Sequence, residues 1–295
     1  MRKTFIDYLI IAAKKNKKII LVVNDLGYGV VEKFANLFPK QFVNAGVAEQ
    51  NMMGLAAGLA MDKNHVFVYS IGNFPTFRCA EQIRNDVDYH ELPVTIVNVG
   101  SGISYGNLGY SHHSIQDYAL MRTFPNLMIA SPSNKEQVKN SMKYLLKNPQ
   151  PSYLRLSKSK IKENIKKDND TSSLKPGLWR RIHKGKSENV ILITGDTIEK
   201  AKSILNESYY KNYSVYSLTL WGMKQKKFQI NQAKKWKKIL ILEDHLQDGG
   251  FGSWFSESLA NSDVKTKIEY LYLKDSIIGQ VGSNNFLTKK YFRKT

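Results

Sequence analysis

The chain has 295 residues, 42% of them hydrophobic, a formal net charge of +19 and one cysteine, Cys79. That length and apolar content allow one large or two medium domains with a real core, and the single cysteine excludes both an internal disulfide framework and a cysteine zinc site, so a reducing cytosol is the natural compartment. No stretch approaches the roughly 18 apolar residues of a membrane span, and the lysines crowd into short clusters without a recognisable nucleic-acid module, so neither membrane nor nucleic acid is expected as a partner.

In chain order, MRKTFIDYLIIAA reads as an amphipathic first helix, because Asp7 interrupts the apolar run and no signal cleavage site follows. Lys18–Val23 is a buried-type strand, and Gln41–Gly46 is a short strand ending at a glycine. Glu49–Met61 is helical, with Met52, Leu55, Ala56 and Leu59 at helical spacing and Gly54, Ala57 and Gly58 leaving room for close packing. Strands are expected at Val66–Ile71, Pro93–Val99, Asn126–Ser131 and Ser152–Leu156, with helices at Thr76–His90, Ser114–Thr123 and Lys135–Lys147. Residues 158–188 are charged, lack apolar periodicity and read as a connector. A second unit follows, with strands at Val190–Gly195, Ser214–Leu220 and Lys238–Glu243 and a helix at Thr197–Leu205. Regular strand–helix alternation predicts an α/β fold of two domains with mainly parallel sheets, 1–157 and 189–295, joined by the 158–188 linker.

Chemistry concentrates in VNAGVAEQNMMGLAAGLA (43–60), which puts one carboxylate, Glu49, at the mouth of an apolar, small-residue helix. A first-turn glutamate also serves simply as a charge complement to the helix dipole. Gly249–Gly252 could cradle a phosphate on helix amides, but it lacks both the dinucleotide and the P-loop spacing, so a close-packing turn is the better reading. Two adjacent histidines, His112 and His113, have no cysteine or paired carboxylate beside them, and a metal site is not expected there.

Together, GVAEQNMMGLAAGLA, FVYSIGNFPTFRCAEQIRND and GYSHHSIQDYALMRTFPNLMIASPSN resemble the pyrimidine-binding half of thiamin-diphosphate enzymes of the transketolase type. ILEDHLQDGGFGSWFSESLA is similar to the carboxy-terminal domain of the same family. The resemblance covers roughly residues 15–275 and is most specific in the first domain. It implies that Glu49 bonds a ring nitrogen of the cofactor's aminopyrimidine and drives its amino group to the imino form that deprotonates the thiazolium carbon. It implies that Phe74 or Phe77 stacks on that ring, that Arg78 matches an arginine of the deoxyxylulose-phosphate synthase motif, and that Asp25 lies near the thiazolium. His112 falls on the histidine that approaches the reacting carbonyl, with His113 in place of the usual glutamine. Arg155 and Lys158 fall where relatives hold basic residues for a sugar phosphate. Leu108 and Gly100 replace an aspartate and a histidine that touch sugar in transketolases, which points to an atypical donor or acceptor.

No GDG…N segment completes a metal-diphosphate motif, since Gly195-Asp196-Thr197 lacks the downstream asparagine. The resemblance therefore implies a separate, amino-terminal diphosphate-binding subunit that holds Mg²⁺ or Ca²⁺, and two-fold pairing of the two chains into a heterotetramer. The activity implied is transfer of a two-carbon ketol unit between sugars or sugar phosphates. The alternatives are a 2-oxo acid dehydrogenase β-subunit and a non-catalytic assembly or binding subunit on the same fold.

Overall fold

The computed structural model describes residues 1–158 and 174–294. The first unit runs α1 (Arg2–Lys15), β1 (Ile19–Val23), α2 (Glu32–Leu37), β2 (Phe42–Asn44), α3 (Glu49–Met61), β3 (His65–Ile71), α4 (Ala80–Gln82), β4 (Val94–Val99), α5 (Asp117–Met121), β5 (Met128–Ala130), α6 (Lys135–Lys147) and β6 (Ser152–Leu156). The second runs β7 (Arg180–His183), β8 (Asn189–Ile193), α7 (Ile198–Leu205), β9 (Ser214–Ser217), β10 (Leu220–Trp221), α8 (Gln229–Ala233), β11 (Lys238–Leu246), α9 (Phe251–Leu259), β12 (Lys267–Leu273), α10 (Asn284–Tyr291) and β13 (Phe292–Lys294).

Two sheets result, a seven-stranded one in the order β10-β5-β6-β4-β3-β1-β2 and a six-stranded one in the order β13-β12-β11-β8-β9-β7. Every pairing among β1 to β6 is parallel, and all of these strands except the half-buried edge strand β2 are covered on both faces, which gives β1, β3 and β4 their largely apolar runs. The strand period of two still sorts their side chains. Ile20, Val22, Val66, Val68 and Ile96 face α3 and the turns after β3, while Leu21, Val23, Phe67, Tyr69 and Val97 face Phe5 and Leu9 of α1 and Val138 and Met142 of α6. Helices on both sides of a parallel sheet leave the strand ends free to carry a site.

Three expectations are corrected. The helix expected at Thr76–His90 divides into a tight 3₁₀ turn at Phe77–Cys79, the short α4, and a widened π-helical stretch at Ile83–Asp88, closed by Leu92 N–H donating to Val87 O at 3.0 Å. The turn begins where Thr76 Oγ1 donates back to Gly72 O at 3.0 Å. The 158–188 segment carries β7, an edge strand antiparallel to β9. It is short and only half buried, which removes the alternation that would have marked it. Residues 159–173 of that segment lie outside the described residues. Finally, the strand expected at Ser214–Leu220 ends at Ser217, and the chain then crosses to the first sheet, where Leu220–Trp221 pairs antiparallel with β5.

The GGFG turn is a packing device. Glu243, inside β11, accepts from the amides of Phe251 at 2.6 Å and Gly252 at 3.0 Å, so the first amides of α9 are already taken by an internal carboxyl, whose pKa burial pushes up to about 8. A Cβ on Gly252 would lie 2.9 Å from Glu243 Oε1, which is why glycine stands there.

Candidate active site

Glu49 opens α3 and is 7% exposed. Its Oε1 accepts from Asn24 Nδ2 at 2.9 Å, from the residue that follows β1, and from Arg78 Nη1 at 2.9 Å. Its Oε2 accepts from none of the described residues. Arg78 comes from the turn before α4, and its guanidinium carbon also stands 4.2 Å from the centroid of the Phe74 ring. The edge of His112 meets Phe74 at 5.3 Å between centroids, and Tyr105 meets His112 at 6.1 Å. Lys158 Nζ lies 4.6 Å over the Tyr105 ring. A continuous surface thus runs Asn24, Glu49, Arg78, Phe74, His112, Tyr105, Lys158, drawn from the ends of β1, β3, β4 and β6.

The loop that carries the histidines is pinned from several sides. Asn73 Nδ2 donates to Ser111 O at 3.1 Å and His113 O at 3.0 Å. Gly100 and Gly102 adopt left-handed backbone at φ 96° and 58°. A Cβ on Gly100 would collide with the Tyr105 ring, so Tyr105 fills the space that a side chain at 100 would need. Gly282 N–H donates to Gly106 O at 3.1 Å and Asn284 Nδ2 to Ile103 O at 3.2 Å, so the second unit braces the same loop.

The two histidines separate sharply. His112 is half-buried, shares a 2.9 Å hydrogen bond between Nδ1 and Ser111 Oγ, and has its pKa lowered by burial and then by the nearby Arg78 charge. His113 is 1% exposed, with Nε2 3.4 Å from Gly106 O and Nδ1 buried without a partner among the described residues. Burial lowers its pKa first, opposed by the bond to Gly106. Only His112 faces the surface shared with Phe74 and Tyr105.

Of the two aromatic candidates, Phe74 is the one brought to Glu49 through Arg78. Phe77 is largely exposed and has no ring neighbour among the described residues. Asp25 is exposed, at φ 56°, and exchanges hydrogen bonds with Asn44: its amide donates at 2.9 Å and its carboxylate accepts at 3.0 Å. It caps the turn that sets Asn24.

Arg155 is a correction. Expected to meet a sugar phosphate, it is fully buried, with Nε donating to Asp117 at 2.6 Å, Nη1 to Asp244 at 2.6 Å and Nη2 to Ser114 O at 2.7 Å. Burial alone would raise the Asp117 pKa, but Arg155 and His245 hold it below the usual carboxylate range. Burial pushes Asp244 up to about 6. The guanidinium spends its fork on two carboxylates, one from each unit, and it clamps the units together rather than facing the site.

The donor set fits an aminopyrimidine: one carboxylate oxygen that accepts from none of the described residues, and one aromatic ring tied to the same carboxylate through Arg78. Arg78 covers one face of Phe74, so a ring stacked there takes the other face or displaces the guanidinium. Among the described residues no three His, Cys, Asp or Glu side chains converge as cation ligands, and no helix is long and apolar enough to cross a membrane. Asn24, Asn73 and Tyr105 are not marked by any sequence motif. The polar Asn24-Asp25 pair directly after an apolar strand is the available signal for the first.

Residues 1–163 match the transketolase, pyrimidine binding domain family. The chain is 31% identical to an apulose-4-phosphate transketolase subunit of Phocaeicola vulgatus, over 90% of this chain and 86% of that one. It is 26% identical to the 6-deoxy-6-sulfo-D-fructose transketolase subunit SqwH of a Clostridium species, over 99% and 89%. A solved structure described as a split gene transketolase, an inactive β4 tetramer, matches with a TM-score of 0.83 and 26% identity, over 98% of this chain and 92% of that one.

Proposed function

Since this chain belongs to the transketolase family through its pyrimidine-binding domain, we propose that it is the β-type subunit of a split transketolase, transferring a two-carbon ketol unit between sugars or sugar phosphates. The observation that carries this reading is Glu49, buried at the mouth of α3, with Oε2 uncommitted among the described residues and Oε1 linked through Arg78 to the Phe74 ring that His112 meets. Thiamin diphosphate supplies the nucleophilic thiazolium carbon and the electron sink. Glu49 Oε2 would exchange a proton with a nitrogen of its aminopyrimidine, and Phe74 would supply an aromatic face worth about 1 kcal/mol beyond burial. His112 Nδ1 shares its hydrogen bond with Ser111 Oγ; in the tautomer in which the hydroxyl donates, Nε2 keeps its hydrogen and donates to the substrate oxygen where negative charge develops. Lys158, held over Tyr105 at the outer end of the surface, receives the charged end of a phosphorylated sugar. Its single ammonium offers a point charge in place of an arginine fork.

The diphosphate and its divalent cation, Mg²⁺ or Ca²⁺, are assigned to a partner subunit, and two copies of each chain form a heterotetramer with two equivalent sites. Support comes from relatives named as subunits and from the sequence, which completes no metal-diphosphate motif. The test is ketol transfer by the purified chain with thiamin diphosphate and Mg²⁺, alone and mixed with a diphosphate-binding subunit. Activity is expected only in the mixture, and turnover by this chain alone would refute the shared site.

A further inference from the structure

We propose that Asn24 is a positioning residue that decides which oxygen of Glu49 carries the exchanging proton. The inference rests on the reading of Glu49 given above. Asn24 is 1% exposed, and its Nδ2 donates to Glu49 Oε1 at 2.9 Å. Arg78 Nη1 donates to the same oxygen at 2.9 Å. An oxygen that accepts two N–H groups, one of them cationic, is a poor seat for a proton, because protonating it sets an O–H against two donors and forfeits both bonds. Oε2 has no such donors among the described residues, so the proton enters and leaves there.

Packing alone does not account for Asn24. Its Oδ1 is buried without a partner among the described residues, a penalty that an apolar residue of the same size would avoid. The amide keeps its donor on Glu49 at the expense of an orphaned acceptor. Asp25 and Asn44 lock the adjoining turn by their reciprocal hydrogen bonds, which fixes the direction of Asn24. Arg78, with half of its side chain in water, is the looser of the two donors. Asn24 therefore sets the orientation of the carboxylate.

The test uses the full chain combined with a diphosphate-binding transketolase subunit, Mg²⁺ and thiamin diphosphate, for wild type, Asn24→Asp, Asn24→Ala and Glu49→Gln. Two readouts are followed against pH: the cofactor dissociation constant from tryptophan quenching, and exchange of the thiazolium proton into heavy water by NMR. Thermal midpoints report folding separately. Asn24→Asp keeps the shape but turns a donor into an acceptor. Near neutral pH it should slow exchange and weaken binding by about tenfold to a hundredfold, as loss of one donor to a charged group does. Both should recover as the pH falls and the new carboxyl regains a hydrogen. Asn24→Ala should lose about tenfold with no such recovery. Should the aspartate variant not fold, Asn24→Ser, which keeps a short donor, should outperform Asn24→Ala, and the reverse order would overturn the proposal. If both Asn24 variants match wild type, or if Asn24→Asp loses function equally at every pH while Glu49→Gln is dead, Asn24 only packs and the reading of Glu49 survives. If Glu49→Gln exchanges at the wild-type rate, that reading fails and takes this inference with it.

Discussion

At the residue scale, the proposed chemistry rests on a carboxylate whose two oxygens live in different surroundings, one tied to Asn24 and Arg78 and the other without a hydrogen-bond partner among the described residues. Glu49→Gln should abolish thiazolium proton exchange in the reconstituted complex while leaving the melting temperature close to wild type, because the amide keeps the shape and loses the proton carrier. His112→Ala should leave that exchange fast and slow ketol transfer by on the order of a hundredfold, the usual loss for one preorganised donor. His113→Ala should behave oppositely, lowering stability by about 2 kcal/mol through a cavity, since its ring is buried against the loop backbone. Steady-state kinetics and thermal melting on the two variants separate these outcomes. Glu49 and His112 could be singled out from sequence because their motifs are local. Arg155 could not be read correctly, since its two partners, Asp117 and Asp244, are distant in the chain and only folding brings them to it.

At the element scale, the strongest local signals gave the truest boundaries. Glu49–Met61, Lys135–Lys147 and Ser152–Leu156 emerge with the ends expected of them, since strong helical periodicity or a bounded apolar run leaves little for tertiary contacts to decide. Weaker segments yielded to their neighbours. The stretch after β3 breaks into three kinds of turn as Thr76 bonds back to Gly72 and Arg78 reaches toward Glu49, and the helix expected at Ser114–Thr123 contracts to α5 as Ser114 joins the loop above Gly102. That loop is seated against the end of β11, where Gly102 leaves no room for a Cβ beside Asp244. Arg155→Met should remove the clamp and strand two buried carboxylates, costing about 3–5 kcal/mol in urea denaturation. A loss below about 1 kcal/mol would mean that water reaches the pair and that the clamp is weak.

At the scale of the whole molecule, acid should unfold the protein early. Burial lowers His65 to about 4 from an ordinary value of 6.5, so its folded form stays neutral where the unfolded chain takes up a proton. The associated stability is complete above about pH 6.5 and is lost as the pH falls toward 4, on the order of 3 kcal/mol. Urea midpoints measured across that range should fall, and His65→Gln should flatten the fall. The alternation of strands and helices made the two-unit α/β plan legible, but nothing local revealed that two residues, Leu220 and Trp221, leave one sheet to edge the other. Trp221 is fully buried there among Tyr118, Phe251 and Trp254, and the Trp254 indole donates to Gly222 O at 3.1 Å. The consequence concerns how such genes can be cut. A fragment ending at residue 157 would bare the flank of Met128–Ala130 and strip Tyr118 of its aromatic neighbours, so it should precipitate when expressed by itself and be rescued by co-expression with residues 174–295. The seam between the units is thus a weld, and a division of the gene between them would cost the folded protein far more than its short connecting strand suggests.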